Sequence, residues 1–517
     1  MTVAQRIQRI SAPDRVVPNV GRMRYTVSPD HRHWHYLDFE QYELQRYELV
    51  PAGSTEPLVT DRKTGFCLGD RYRVTTRPLA APAEPVYTGS CGVGEPKRLR
   101  LREGISVGYG DDYSAFLEGQ DLPLDGLPDG RYVLVHRVNV DRGLREFSYA
   151  NNASSVLLDL RWRDGKPYVR VLAECPDTDR CDRYLEVRTV ASGLEIPWDI
   201  AFLPDGRALV TERPGRVRLL RADGTLQDAP VATVPVSARG EGGLLGLAVD
   251  PEFSANQFVY LYFTTASGMR LERWRWTDSV LLRDTAVVDA IAAGEIHDSG
   301  RIDFGPDGRL YVATGDAGSP ELAQDPGSLN GKILVLTPSQ YRGPDAVRPA
   351  MVASGLRNPQ GFDWQPGTGL LVANDHGPSG FDGPEGYDEI NLIVQGGNYG
   401  WPEAIAYQTR SGRFSMPLRV YRQPVAPSGG AFLERPGLPW TGDYFFAALR
   451  GEGLHRLELS GGRVVVDEVL LASRFGRLRT VREGPNGCLY VLTSNRDGRG
   501  TPRPGDDRVL CVVLPGT

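Results

Sequence analysis

The sequence predicts an all-β protein, a six-bladed β-propeller preceded by a β-sandwich-like domain. Three observations predict it. Sixty glycines and 39 prolines separate many short Val/Leu/Tyr/Phe runs, the punctuation of short strands joined by frequent turns. A unit made of a tight turn and a short apolar strand recurs along the C-terminal two thirds. A chain of 517 residues exceeds a single typical domain, and its composition shifts between Arg161 and Val190.

Composition bounds the function. A hydrophobic content of 40% and a charged content of 24% are ordinary for a globular protein. The net charge of -6 argues against a general nucleic-acid binder. No apolar run reaches the roughly eighteen residues of a membrane-spanning helix, so no transmembrane segment is expected. The opening MTVAQRIQRISAPDR lacks the apolar core of a signal peptide. Of the six cysteines, Cys175 with Cys181 and Cys488 with Cys511 form two local pairs, and Cys67 and Cys91 complete an even count. An even count fits disulfides in an oxidising compartment, with buried free thiols as the alternative.

The N-terminal region carries Asp30-His31-Arg32-His33-Trp34-His35-Tyr36, three of the seven histidines of the chain within five residues. On a strand, a period of two projects all three imidazoles from one face. Imidazoles grouped in that way suit copper, zinc or nickel. The run HRHWHYLDFEQYEL resembles the copper motif of the lysyl oxidases. Lys63-Thr64-Gly65-Phe66-Cys67-Leu68, Gly104 to Gly108 with Asp111-Asp112-Tyr113, and Arg131 to Leu134 with YANNASSV at 149–156 resemble later blocks of that family. The resemblance covers roughly residues 20–162 and implies a copper-binding domain over 1–162, with His31, His33 and His35 as ligands. It also implies a lysine–tyrosine quinone cofactor. Lys63 falls at the lysine position, whereas the tyrosine position falls on Gly110, leaving neighbouring Tyr109 as the candidate precursor. The family has further strands before the histidine motif, so an upstream segment, including an export signal, is expected to precede this chain. Extracellular or periplasmic location follows as an expectation. Residues 163–189, rich in charge and proline and carrying Cys175 and Cys181, read as a linker.

Over residues 190–517 the repeated unit appears as FLPDGRALVTER (202–213), FGPDGRLYVATGD (304–316), WQPGTGLLVANDHG (364–377) and EGPNGCLYVLTSN (483–495). Degenerate copies fit AVDPEFSANQFVYLYFT and LPWTGDYFFAALRGEGLHRLEL. Six such units point to a propeller, with a pair of sandwiches as the competing fold. In a propeller, loops from one face converge on the axis, so polar residues just after each apolar strand become site candidates.

The stretch Arg357 to Trp401 is densest in Gly, Pro, Asn and Asp. Backbone carbonyls beside carboxylates suit calcium, and an arginine suits the carboxylates of a bound molecule. RNPQG, a Gly-Pro pair followed by DEIN, and GNYGWP occur here in the order seen in the soluble quinoprotein sugar dehydrogenases, which use pyrroloquinoline quinone (PQQ) with calcium. The HxxGR segment His297 to Arg301, before a PDGRLYV strand, resembles the catalytic segment of that family. The resemblance covers nearly all of 190–515. It implies His297 as the base that removes the sugar hydroxyl proton and Arg357 as the group that stabilises charge on the quinone oxygen. Cofactor contacts are implied for Asn358, Arg450, Arg477, Arg479 and Glu241, and calcium would bind the carbonyls of Gly377 and Pro378. His376 and the acidic insertion Ser379 to Tyr387 depart from the family pattern, at the calcium site or the substrate mouth. Asp199, in Pro197-Trp198-Asp199, is a further candidate pocket carboxylate. The expected activity is oxidation of the C1 hydroxyl of an aldose to a lactone, with an unidentified electron acceptor. The alternatives are a copper amine (lysyl) oxidase activity of the N-terminal domain and a non-catalytic carbohydrate-binding propeller.

Overall fold

The computed structural model describes residues 2–514 except 8–12, 28–31, 48–56, 61–64, 75–81, 113–120, 147–148, 150, 177, 180, 182–184, 408–411 and 439. The chain divides into two compact units, Met1–Tyr184 and Leu185–Thr517. Both are built almost wholly of strands, as the glycine- and proline-punctuated runs require.

The first unit holds two main antiparallel sheets. One orders the strands Thr2–Ile7, Arg15–Val27, Arg32–Leu37 and Gly65–Phe66. The other runs from Lys166–Cys175 through Ala153–Arg163, Gly130–Val138 and Glu40–Arg46 to Val59–Thr60. Val133, Val135 and Leu157 form one buried cluster of this unit, and Leu44, Tyr132 and Leu160 another.

Residues 163–189 are therefore not all linker. Lys166–Cys175 pairs along its length with Ala153–Arg163 in a hairpin. The hairpin turns at Asp164-Gly165, whose φ values of 51° and 72° are those of a two-residue primed turn, the connection that matches strand twist. The Asp-Gly signal stands in the sequence, and the charged composition around it masked the strand.

The second unit holds six sheets. Five follow the chain in order. They begin with Pro197–Phe202, Leu244–Val249, Ile302–Phe304, Pro359–Trp364 and Pro427–Phe432, and each continues outward through three further antiparallel strands. The third sheet gains a short parallel strand, Gly397–Asn398, on its outer edge. The sixth joins both ends of the unit: Leu478–Glu483, Cys488–Thr493 and Val509–Val513 pair in order, and Glu186–Ala191 closes the edge. Neighbouring sheets touch through their first strands, except that Leu310–Thr314 meets Pro359–Trp364, and Leu478–Glu483 returns to touch Pro197–Phe202. The ring of contacts between sheets is thereby closed.

One copy of the repeated unit supplies the second strand of each sheet. In three copies the turn closes by an amide-to-carbonyl bond, Gly206 to Leu203, Gly308 to Gly305 and Gly487 to Gly484. These glycines have φ of 84°, 72° and 86°, a region costly for any side chain with a Cβ. The strands that follow, Ala208–Glu212, Leu310–Thr314 and Cys488–Thr493, are buried almost throughout, which is why they read as continuous apolar runs without alternation. Three disulfides are present, Cys67–Cys91, Cys175–Cys181 and Cys488–Cys511, and the described cysteines include no free thiol.

Candidate active site

His297 lies in the loop before Ile302–Phe304, with its backbone in the left-handed region at φ 61°. Its Nδ1 is 2.7 Å from Oδ1 of Asp316, which is fully buried. The same carboxylate accepts the Gly318 amide on Oδ1 at 2.8 Å and the Trp401 indole N–H on Oδ2 at 2.8 Å. A carboxylate that only accepts fixes the proton of a neutral imidazole on Nδ1 and leaves the lone pair on Nε2. Three donors on one carboxylate also hold the ring in a single orientation. The chain is pinned here as well. A Cβ on Gly315 would lie 1.8 Å from the His297 carbonyl oxygen, so only glycine lets the two segments meet. The His297 amide donates to Glu241 Oε2 at 3.0 Å.

Arg357 and Asn358 open the strand pair Pro359–Trp364 and Leu371–Asp375. Their amides donate to the two oxygens of Asp375 at 2.9 and 2.7 Å. Burial raises that carboxyl to about 7, against the pull of the two amides and the Arg357 charge. Asn358 Oδ1 accepts the Ser299 amide at 3.0 Å and so ties this segment to the His297 loop. The guanidinium of Arg357 is 2% exposed, lies over the Trp401 ring at 5.5 Å and pairs through Nε with Asp382 Oδ2 at 2.8 Å. Its Nη2 donates to Ser379 Oγ at 3.1 Å.

Beside His297 opens a cavity of about 100 Å³, lined among others by Trp198, Arg213, Glu241, His376, Arg479 and Arg499. Four of the titratable lining residues come from loops that follow second strands: Arg213 after Ala208–Glu212, His376 after Leu371–Asp375, Asp497 and Arg499 after Cys488–Thr493. Burial pulls the Arg479 guanidinium down to about 9, although Asp497 works the other way. One of its Nη atoms donates to Gln360 Oε1 at 2.7 Å, and its Nε is buried without any hydrogen-bond partner. Arg477 is held by two bonds to Asp497, 3.0 and 2.8 Å, and Arg499 pairs with Glu241 at 2.7 Å. Burial opposes ionisation of Glu241, but the Arg499 charge and the His297 amide prevail and hold it at about 2. Asp298 in the same wall is raised to about 7 by burial. His376, pushed down to about 4 by burial, is neutral near pH 7 and bonds through Nε2 to the Pro427 carbonyl at 2.9 Å. The cavity thus carries more firmly charged cations than anions, with one buried donor unspent. A planar ligand with several carboxylates and carbonyl oxygens matches that donor set.

In the first unit, His33 and His35 project from one face of Arg32–Leu37, and their Nε2 atoms are 2.8 Å apart. That is close to the roughly 3 Å expected of two nitrogens each about 2.0–2.1 Å from one ion at a right angle. His35 Nδ1 bonds Thr26 Oγ1 at 3.1 Å, and its Nε2 faces that of His33 at hydrogen-bond distance. His31 and Lys63 lie outside the described residues. Among those described, no group of three or more His, Cys, Asp or Glu side chains is assembled for a metal. Tyr109 is buried and its hydroxyl receives a bond from Arg73 Nη2 at 2.9 Å.

Residues 194–502 match the Glucose / Sorbosone dehydrogenase family, well over half of the chain. The chain belongs to that family. The chain also matches the Lysyl oxidase family over residues 3–170. Aldose sugar dehydrogenase YliI of Escherichia coli K12 is 33% identical over 348 residues, 61% of this chain and 91% of its own. The PQQ-bound aldose sugar dehydrogenase of Streptomyces coelicolor superposes with a TM-score of 0.56 at 38% identity, covering 64% of this chain and 98% of that one. Protein-lysine 6-oxidase of Gallus gallus is 26% identical over 167 residues, 32% of this chain, which spans about a third (34%) of that relative.

Of the residues named from the sequence, Glu241 and Arg479 line the cavity, while His297, Asn358, Arg477 and Arg357 touch its lining through Glu241, Ser299, Asp497 and the His376 carbonyl. Arg450 does neither. It is exposed and paired with Glu385, while its neighbour Leu449 lines the cavity. Both residues lie in the turn that follows Tyr444–Ala448, where the Leu449 side chain turns inward and that of Arg450 outward. Asp199 is also not a pocket carboxylate: it is fully buried and bonded to Arg301 at 2.5 Å. The carbonyl of Pro378 accepts the Gly386 amide at 3.0 Å and keeps a second lone pair, and the Gly377 amide donates to Asp388 at 2.9 Å. Asp316, Arg213 and Arg499 were not singled out from the sequence. All three lie just after an apolar strand, where the convergence of loops on one face points.

Proposed function

We propose that this glucose/sorbosone dehydrogenase oxidises the C1 hydroxyl of aldose sugars to the lactone, using PQQ held with calcium in the cavity beside His297. The six sheets of the second unit are read as the blades of a six-bladed propeller, and the two sheets of the first as a sandwich-like domain. The observation that carries the reading is a buried His–Asp pair standing beside an arginine-walled cavity in which Arg479 keeps an unpartnered buried donor.

Arg479, Arg213 and Arg499 would hold the carboxylates of PQQ, and Arg357 would lie by its quinone oxygens. The carbonyls of Gly377 and Pro378 would hold calcium, the remaining donors being cofactor and water oxygens. Bound in this way, PQQ would supply an electrophilic ortho-quinone as the hydride acceptor, and calcium would supply Lewis-acid polarisation. The chain does the rest. Nε2 of His297 accepts the C1 hydroxyl proton as the hydride leaves C1, Asp316 steadies the imidazolium that forms, and Arg357 offsets the charge that develops on oxygen. The sugar loses two electrons and two hydrogens and becomes the lactone. A separate electron acceptor then restores the oxidised state. The test is product identity: incubation of the PQQ- and calcium-loaded protein with 1-13C-labelled glucose gives the lactone and its hydrolysis product with the label at a carboxyl carbon. An oxidised product labelled elsewhere contradicts C1 oxidation.

A second reading concerns the first unit, where the 2.8 Å approach of His33 and His35 favours a copper site completed by His31. Copper binding to the full chain in one equivalent, lost in H33A, is the expected result; undiminished binding in H33A removes it. Amine oxidation at that site, with Lys63 and Tyr109 as quinone precursors, would show as aldehyde release from primary amines. The three disulfides support an oxidising compartment, extracellular or periplasmic. Among the described residues no helix is long and apolar enough to cross a membrane.

A further inference from the structure

The acidic insertion Ser379 to Tyr387 is fastened to the site at several points. Asp382 pairs with Arg357, Ser379 bonds both Asp382 and Arg357, Gly386 bonds the Pro378 carbonyl, and Glu385 pairs with Arg450. On this anchored loop Phe381 is 70% exposed, the only phenylalanine among the exposed large apolar side chains of the described residues. Its ring lies within 19° of parallel to the His297 imidazole, with centroids 6.3 Å apart. The fold gains little from a phenyl group held in water. None of the hydrogen bonds and ion pairs named above involves the phenyl group.

We propose that Phe381 is the wall against which the sugar ring packs, and that it favours pyranoses whose hydroxyls are equatorial. This inference rests on the sugar-oxidation reading of the same site. A pyranose seated with C1 toward His297 comes into reach of the phenyl face, whose centroid is 6.3 Å from that of the imidazole. A pyranose with equatorial hydroxyls presents axial C–H groups above and below its ring, an apolar surface with partial positive charge. The face of an aromatic ring is apolar with partial negative charge, so the two surfaces match in shape and sign. An axial hydroxyl on the stacked side would press a polar group against the ring and lose its water. Phe381 would therefore act on sugar affinity and leave the proton transfer to His297.

The test uses the full chain loaded with PQQ and calcium and the non-oxidisable sugar 1,5-anhydro-D-glucitol, whose Kd is measured by saturation-transfer NMR. F381A is expected to weaken that binding about five-fold and to raise KM for glucose by a similar factor, the scale of one aromatic stacking contact. kcat should change less than KM, PQQ affinity should not change, and F381Y should restore both Kd and KM. Unchanged Kd and KM in F381A overturn the proposal. So does loss of PQQ binding in that variant, which would make Phe381 a support of the loop. Binding of the analogue that depends on Phe381 in a protein that oxidises no aldose keeps this inference and sinks the oxidation reading. Aldose oxidation with a KM indifferent to F381A does the reverse.

Discussion

His297→Asn lowers kcat for aldose oxidation by about 10²–10⁴-fold, the usual contribution of a positioned general base. Asparagine is the informative substitution here. His297 holds φ at 61°, a region that asparagine tolerates far better than alanine or leucine, so the loop keeps its shape. The amide side chain can still bond Asp316 but has no lone pair that accepts a proton near neutral pH. PQQ binding should survive, because the cavity arginines are untouched. A kcat within a few-fold of the parent protein would show that another group takes the proton.

Asp316→Asn is expected to lower kcat by about 10²–10⁴-fold through the imidazole tautomer. Asp316 receives three N–H groups, from His297, Gly318 and Trp401. An asparagine has one accepting oxygen. If its NH₂ faces Trp401, two donors oppose each other in a buried place. If it faces His297, the ring must accept on Nδ1, its proton moves to Nε2, and the base is lost. Steady-state kinetics beside a PQQ titration check this. Lost turnover with intact cofactor affinity and an altered pH profile of kcat is expected. Near-normal turnover would show that the tautomer does not matter, and joint loss of PQQ binding would reduce Asp316 to a structural role.

The parts of the fold that were legible are those written locally. A Pro-Asp-Gly or Pro-Asn-Gly turn followed by an apolar run is a complete instruction for one buried strand, and such a strand sits second in three of the six sheets of the second unit, with looser copies of the unit in the other three. The closure of the ring was not legible, because Glu186–Ala191 finds its partner Val509–Val513 more than three hundred residues away and neither strand signals the other. The strand Lys166–Cys175 was missed although its Asp-Gly turn was visible, since composition was weighed above turn chemistry. At the candidate site the motif residues were visible as motifs, whereas Asp316, Arg213 and Arg499 become visible only once the loops after second strands are known to share one face. Arg450 was misplaced for a smaller reason, a one-residue ambiguity in which side chain of the turn after Tyr444–Ala448 faces inward.

The most direct test of the central claim is dye reduction by the purified full chain with a panel of aldoses, measured with PQQ and calcium together, with each alone and with neither. The account predicts turnover that needs both and disappears in H297N. Turnover independent of PQQ, or none with any aldose once PQQ has demonstrably bound, would contradict it.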